Sequence, residues 1–135
     1  MTDLHVNYIQ GELQHFISYD SKGRILEGHK RYRLHLASPI PVSEFWSIIV
    51  YDQSSRLIIH TDQTWPSVFS NNDNLEYNSD GTVDAWFGPD EIEGKGSNWV
   101  KTIPGQKWYI ILRLYNPLSS WYDKRWRPGE IEEIL

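Results

Sequence analysis

The sequence predicts an all-β fold, an antiparallel β-sandwich or jelly roll with long loops and little helix, and three observations predict it. Two runs, Phe45–Asp52 and Lys107–Tyr115, are dense in β-branched and aromatic residues and are largely apolar on both faces when counted by twos. Turn signals punctuate the chain at strand-length intervals: Asp20-Ser21-Lys22-Gly23, Ser38-Pro39-Ile40-Pro41, Asp80-Gly81, Gly88-Pro89 and Asn116-Pro117. The composition, with 7 Trp and 8 Tyr but 1 Met and few Ala, disfavours helix. A length of 135 residues is one domain's worth, with a single core.

The first element is weak. Leu4, Ile9, Leu13 and Phe16 suggest a helical or irregular stretch, and Phe16–Tyr19 reads as a short strand closed by the turn at Gly23. Arg31–Leu36 alternates strictly, which turns Tyr32, Leu34 and Leu36 inward and Arg31, Arg33 and His35 outward. Proline at 39 and 41 stops that strand, because proline donates nothing to a ladder.

Phe45–Asp52 is the central strand. Trp46, Ile48, Val50 and Asp52 share one face, and Phe45, Ser47, Ile49 and Tyr51 share the other. The turn Gln53-Ser54-Ser55 and the run Leu57–Ile59 complete a hairpin. Asp62–Ser79 is a long polar loop, with Trp65, Val68, Phe69, Leu75 and Tyr77 available to tie it down. Behind Asp80-Gly81, Thr82–Phe87 is a strand with Val83, Ala85 and Phe87 on one face. A Gly-rich loop carrying Asn98-Trp99 leads to Lys107–Tyr115. There Trp108, Ile110, Leu112 and Leu114 face one way and Tyr109, Ile111, Arg113 and Tyr115 the other. Ile131–Ile134 is the candidate last strand.

Charge and composition narrow the partners. With 18 acidic against 13 basic residues the balance is opposite to that of a duplex nucleic-acid binder. The absence of cysteine excludes disulfides and thiolate metal sites. The first ten residues lack the apolar run of a signal peptide, and no stretch is of membrane-spanning length, so nucleic acid and membrane are not expected partners and the cytoplasm is the default location.

Several residues are candidates for chemistry. An arginine on a central strand is costly unless paired, so Arg113 is either in a structural ion pair, with Asp52 or Asp84 as its partner, or a clamp for an anionic ligand. Trp65, Trp99, Trp121 and Trp126 lie in loops or the tail, where they either plug the ends of the sandwich or stack on a ligand. The histidines at 5, 15, 29, 35 and 60 have no metal-motif spacing, and no Gly-x-Ser-x-Gly elbow exists. No catalytic residue, metal or cofactor is assigned, and the reading leans away from an enzyme.

In order along the chain, Asp20-Ser21-Lys22-Gly23, Leu26-Glu27-Gly28, Tyr32, Phe45-Trp46-Ser47, Tyr51-Asp52, Asp80-Gly81, Gly96-Ser97-Asn98-Trp99, Arg113-Leu114-Tyr115 and Trp126-Arg127-Pro128 resemble domain-of-unknown-function family 1214. The resemblance implies a β-sandwich of jelly-roll type over residues 19–135, with residues 1–18 as an amino-terminal extension. It also implies a companion, since this domain commonly follows domain-of-unknown-function family 1254. Departures from the pattern are Val100-Lys101 after Asn98-Trp99, Asn116 before Pro117, Gly129 after Pro128, and no Arg-Tyr pair near Trp65-Pro66.

The expected function is a binding or accessory module with an aromatic-lined pocket for a small polar or anionic ligand, carbohydrate or lipid-like molecules included. The expected binding residues are Arg113, Tyr51, Tyr115, Trp99, Asn98, Trp46 and Asp52. The alternatives are a hydrolase-like domain that needs a partner domain or chain, and a structural oligomerisation domain. Expected partners are therefore a small molecule, a chain supplying the companion domain, or a second copy.

Overall fold

The computed structural model describes residues 5–9 and 11–134. Leu4, one of the apolar positions of the expected irregular stretch, lies outside them. The described residues form ten strands: β1 (His5–Ile9), β2 (Glu12–Ile17), β3 (Leu26–Glu27), β4 (Arg31–Leu36), β5 (Trp46–Asp52), β6 (Ser67–Phe69), β7 (Val83–Gly88), β8 (Trp99–Lys101), β9 (Lys107–Tyr115) and β10 (Ile131–Ile134). Among the described residues helix is limited to a 3-10 turn at Gly96–Asn98 and the four-residue α1 (Ser119–Tyr122).

The strands form two sheets of a sandwich. The larger runs β1-β2-β9-β5-β6, with β3 alongside β9, and the smaller runs β10-β4-β7-β8. Both apolar runs are interior strands as expected, β9 between β2 and β5, and β5 between β9 and β6. The reason is two-sided burial. Trp46, Ile48, Val50, Trp108, Ile110, Leu112 and Leu114 join the main core, while Tyr51, Tyr109 and Ile111 pack with Phe16 and Ile49 in a second cluster on the other face. The smaller sheet supplies Tyr32, Leu34, Leu36, Val83, Ala85 and Phe87 to the same main core, which is the alternation expected of β4 and β7.

Four expectations are corrected. The stretch read as helical or irregular is a β1–β2 hairpin turning at Gly11, whose φ of 74° is the left-handed conformation glycine tolerates. β1 and β2 join the larger sheet, and Leu13 is fully buried. The signal was faint because only Leu13 and His15 are buried in β2, while Glu12, Gln14 and Phe16 share its half-exposed face.

The second arm of the central hairpin is not a strand. Leu57–Ile59 meets β5 through a single bridge, Tyr51 to Ile58, and through the Asp52 N–H to Leu57 and Ile59 N–H to Val50 bonds (2.8 and 3.0 Å). The edge of β5 is instead taken by β6, which comes from the stretch read as a long polar loop. There Val68 and Leu75 do the tying, while Trp65 and Tyr77 stay exposed. Finally, the sheets are not wholly antiparallel: β7 and β8 run parallel, joined through the loop that holds the 3-10 turn.

Candidate functional site

Alternation along β9 turns Tyr109, Ile111, Arg113 and Tyr115 away from the main core, as expected. Register then sets their neighbours. Arg113 lies between Gln14 and Ser47, Ile111 between Phe16 and Ile49, and Tyr109 beside Tyr51. The guanidinium bonds the Glu12 carboxylate at 2.7 Å and the Tyr51 hydroxyl at 2.9 Å. Burial pushes the Arg113 pKa down, but the Tyr51 hydroxyl and the Glu12 carboxylate more than offset this and it is raised overall.

This corrects the expected pairing. Asp52 shares the parity of Trp46, Ile48 and Val50, and its carboxylate accepts the Ser55 N–H at 2.7 Å instead. Asp84 belongs to the smaller sheet, where it holds His35 Nδ1 at 2.7 Å and Asn78 Nδ2 at 3.2 Å. Sequence reasoning missed Glu12 because its strand had not been recognised.

The other expected site residues are spread over the molecule. Tyr115 is on the Arg113 face, stacked on Phe45 with ring centroids 4.1 Å apart. Trp46 points the opposite way, into the main core. Asn98 is buried and spends its amide on backbone, donating to the Glu76 and Asp84 carbonyls and accepting the Glu76 N–H. Trp99 donates its indole N–H to the Gly88 carbonyl at 3.1 Å. Asp52 lines a separate open depression with Gln53, Gly105 and Lys107. Arg113 and Tyr51 meet; Trp46, Asn98, Trp99 and Asp52 do not join them.

A different set of side chains converges at the end of β2. His15, Ile17, Tyr19 and Asp20 form one wall of an open cleft of about 440 Å³, and Arg127, Pro128, Gly129, Glu130 and Ile131 form the other. Backbone contacts hold the second wall in place. The Gly129 N–H donates to the His35 carbonyl at 3.0 Å, and a Cβ at Gly129 would lie 2.5 Å from that oxygen, so only glycine fits. Proline, which has no N–H, could not donate that bond.

His15 is 5 % exposed and sits edge-on to Trp121, with centroids 5.6 Å apart. Its Nδ1 is sealed from solvent and has no hydrogen-bond partner among the described residues. Burial, and then the positive charge of Arg127, lower its pKa from 6.5 to about 4, so the imidazole is neutral at physiological pH. Arg127 lies over the Trp121 ring at 4.6 Å and donates from Nη1 to the Trp121 and Trp126 carbonyls at 3.3 and 3.1 Å. Trp121 therefore packs against both His15 and Arg127.

Asp20 contributes little free charge to it. Burial raises its pKa, but the N–H groups of Arg24 and Lys22 and the Arg24 guanidinium outweigh that, and the carboxyl is held below its usual range. Of the loop and tail tryptophans, Trp121 and Trp126 are buried plugs and Trp65 is exposed. The sequence signal for the cleft was the Leu13–His15–Ile17 alternation, invisible while that stretch read as irregular.

No group of three or more metal-ligating side chains converges among the described residues. Asp84 and His35 form an acid–imidazole pair, and no hydroxyl hydrogen-bonds that imidazole among the described residues.

Residues 12–119 match the profile of a family described as "Protein of unknown function (DUF1214)". Two solved structures share the fold. The VPA0106 protein of Vibrio parahaemolyticus superposes with a TM-score of 0.79 at 23% identity, over 93% of this chain and 31% of that one. An uncharacterised protein from Burkholderia cenocepacia superposes with a TM-score of 0.55 at 18% identity, over 94% of this chain and 30% of that one. The chain thus spans about a third of the length of the solved structures it resembles. Among curated proteins none matches.

Proposed function

The chain belongs to the DUF1214 family, and from that premise we propose that it is a binding module whose cleft between β2 and the 127–131 segment takes a small polar or anionic ligand. One observation carries this reading: a buried imidazole with an unpartnered nitrogen lines a cleft that it shares with an arginine. The sealed nitrogen itself costs about 1–3 kcal/mol and is out of a ligand's reach; what the cleft offers a ligand is the exposed Arg127 guanidinium beside that neutral imidazole. The cleft's volume lies in the range of small-molecule sites. The aromatic wall expected around Arg113 is supplied here by Tyr19, with Trp121 behind His15 and Arg127.

The test is a fragment screen by nuclear magnetic resonance, with small acids, sugars and amides as probes. The expected hits perturb His15, Tyr19 and Arg127 together. A screen whose hits leave those three unmoved, or whose hits all map to the Arg113 face, would refute the assignment.

A second reading, an accessory module seated on a companion domain or chain, has support of its own. The outer face of the larger sheet carries Phe16, Ile49, Tyr51, Tyr109 and Ile111, and Ile58 and Trp65 at its margin are 50% and 65% exposed. The similar solved chains are about three times longer than the part this chain matches, which leaves room for such a companion. Light scattering on the natural full-length product, with and without Trp65→Ser, tests it. A monodisperse monomer with unchanged behaviour in the variant would count against it.

A further inference from the structure

We infer that the ligand of the His15–Arg127 cleft is a small carboxylic acid with a flat apolar body, its carboxylate on Arg127 and its body against Ile17, Tyr19 and Pro128. This rests on the binding reading above and narrows it. Three features carry it.

The first is how the guanidinium is used. Its Nη1 is engaged by two backbone carbonyls, while Nε and Nη2 make no hydrogen bond among the described residues. Those two nitrogens form a planar fork that matches the two oxygens of a carboxylate. The Trp121 ring at 4.6 Å backs the guanidinium and restricts its swing. The fork is therefore both free and oriented.

The second is charge. The cleft holds one guanidinium, a neutral imidazole, the exposed carboxylate of Glu130, and an Asp20 carboxylate already saturated by Arg24 and Lys22. With Asp20 offset by Arg24 and Arg127 by Glu130, the set is near neutral, so a monoanion held on Arg127 meets less repulsion there than a phosphate dianion would. A phosphate site would also draw on free backbone amides. Here the Gly129 N–H is spent on His35 and the Ser21 N–H on Ile131, at 3.0 and 2.8 Å.

The third is the wall. Ile17, the Tyr19 ring and Pro128 are apolar surfaces, and Tyr19 is 59% exposed, so a planar group laid on it would be desolvated. His15 adds a neutral imidazole to that lining.

Benzoate and benzamide test this, because they have one shape and differ in charge. Each is titrated into the full chain while the His15 imidazole and Arg127 Nε–H signals are followed. The expected result is saturable movement of both signals with benzoate. Benzamide should bind at least about tenfold more weakly, the scale of one charge-assisted hydrogen bond. Arg127→Gln, at an exposed position, should weaken benzoate by a similar factor and leave benzamide unchanged.

Equal binding of the two probes at His15 would overturn the carboxylate inference while the binding reading stands. Tighter binding of inorganic phosphate than of benzoate would overturn it as well. Movement of neither signal with benzoate would also defeat it, and the fragment screen above then judges the binding reading separately.

Discussion

Arg113 and Tyr51 meet at 2.9 Å on the outer face of the larger sheet although they do not face each other across the ladder. Arg113 is paired with Ser47, four residues before Tyr51 on β5, so the two side chains reach toward each other past Ile49 and Ile111. The same guanidinium bonds Glu12 from β2, so one residue of β9 ties together the strands on both its sides. Ile111 is 5% exposed on a face with no second sheet over it, and this long polar bridge helps to account for that.

Arg113→Leu should therefore cost stability through Glu12 and not through Asp52 or Asp84. Both partners are only partly exposed, 22% and 15%, so a stranded Glu12 carboxylate is worth about 1–3 kcal/mol, below the figure for a fully buried pair. Adding Glu12→Leu should recover much of the loss. Urea denaturation of the two single variants and the double variant measures the coupling, and strictly additive losses would show that the pair contributes nothing.

Trp46→Ala and Trp108→Ala should each destabilise by about 3–5 kcal/mol, the scale for deleting a buried large aromatic. Trp108→Phe should be far milder, about 1–2 kcal/mol. Trp108 is fully buried between Tyr32 and Phe87, and its indole N–H has no partner, so phenylalanine removes volume and an unsatisfied donor together. Equal losses for the alanine and phenylalanine variants at 108 would contradict this account.

The buried His15 makes stability depend on pH in a defined window. Its pKa is about 4 in the folded chain and 6.5 when exposed, so between these values the unfolded chain binds more protons. Stability is then complete above about pH 6.5, falls as pH drops toward 4, and has lost about 3 kcal/mol below that. Asp20, whose pKa is lowered, has its own loss as pH falls below the ordinary carboxylate range. Comparing His15→Phe with the parent from pH 7 to 4 isolates the histidine: the variant's profile should be flatter across that range. Parallel profiles would mean that His15 is not held neutral by the fold.

Asn98→Ala should cost about 2–4 kcal/mol, because three backbone groups of the 76–84 region lose their partner. The loss should be local before it is global. Hydrogen exchange at the Glu76 N–H, which Asn98 Oδ1 accepts at 3.0 Å, should accelerate well before the β9 amides respond. Unchanged exchange at Glu76 would remove Asn98 from its bracing role.

Much of the sandwich was written in periodicity. Strict alternation in Arg31–Leu36 and in Val83–Phe87 named the inward residues correctly, and the double-faced apolarity of Trp46–Asp52 and Lys107–Tyr115 identified the interior strands. Family membership was legible too, in short ordered motifs that fall largely on turns and core positions. A side chain's face follows from its position within its own strand, and local sequence carries that information.

Which strands lie side by side was a different matter. Glu12 reaches Arg113 across 101 residues of sequence, Arg127 comes to the His15 cleft from near the other end of the chain, and β8 runs parallel to β7 where an antiparallel sheet was expected. Asn98, read as part of a binding motif, is a strut for the neighbouring loop. Pairing and register between distant segments come from packing two faces of a sheet at once, and no local pattern encodes that. The alternation of residues settled what points inward; only the tertiary structure decided which polar groups meet and which, His15 Nδ1 and the Trp108 indole N–H among them, are left without a partner among the described residues.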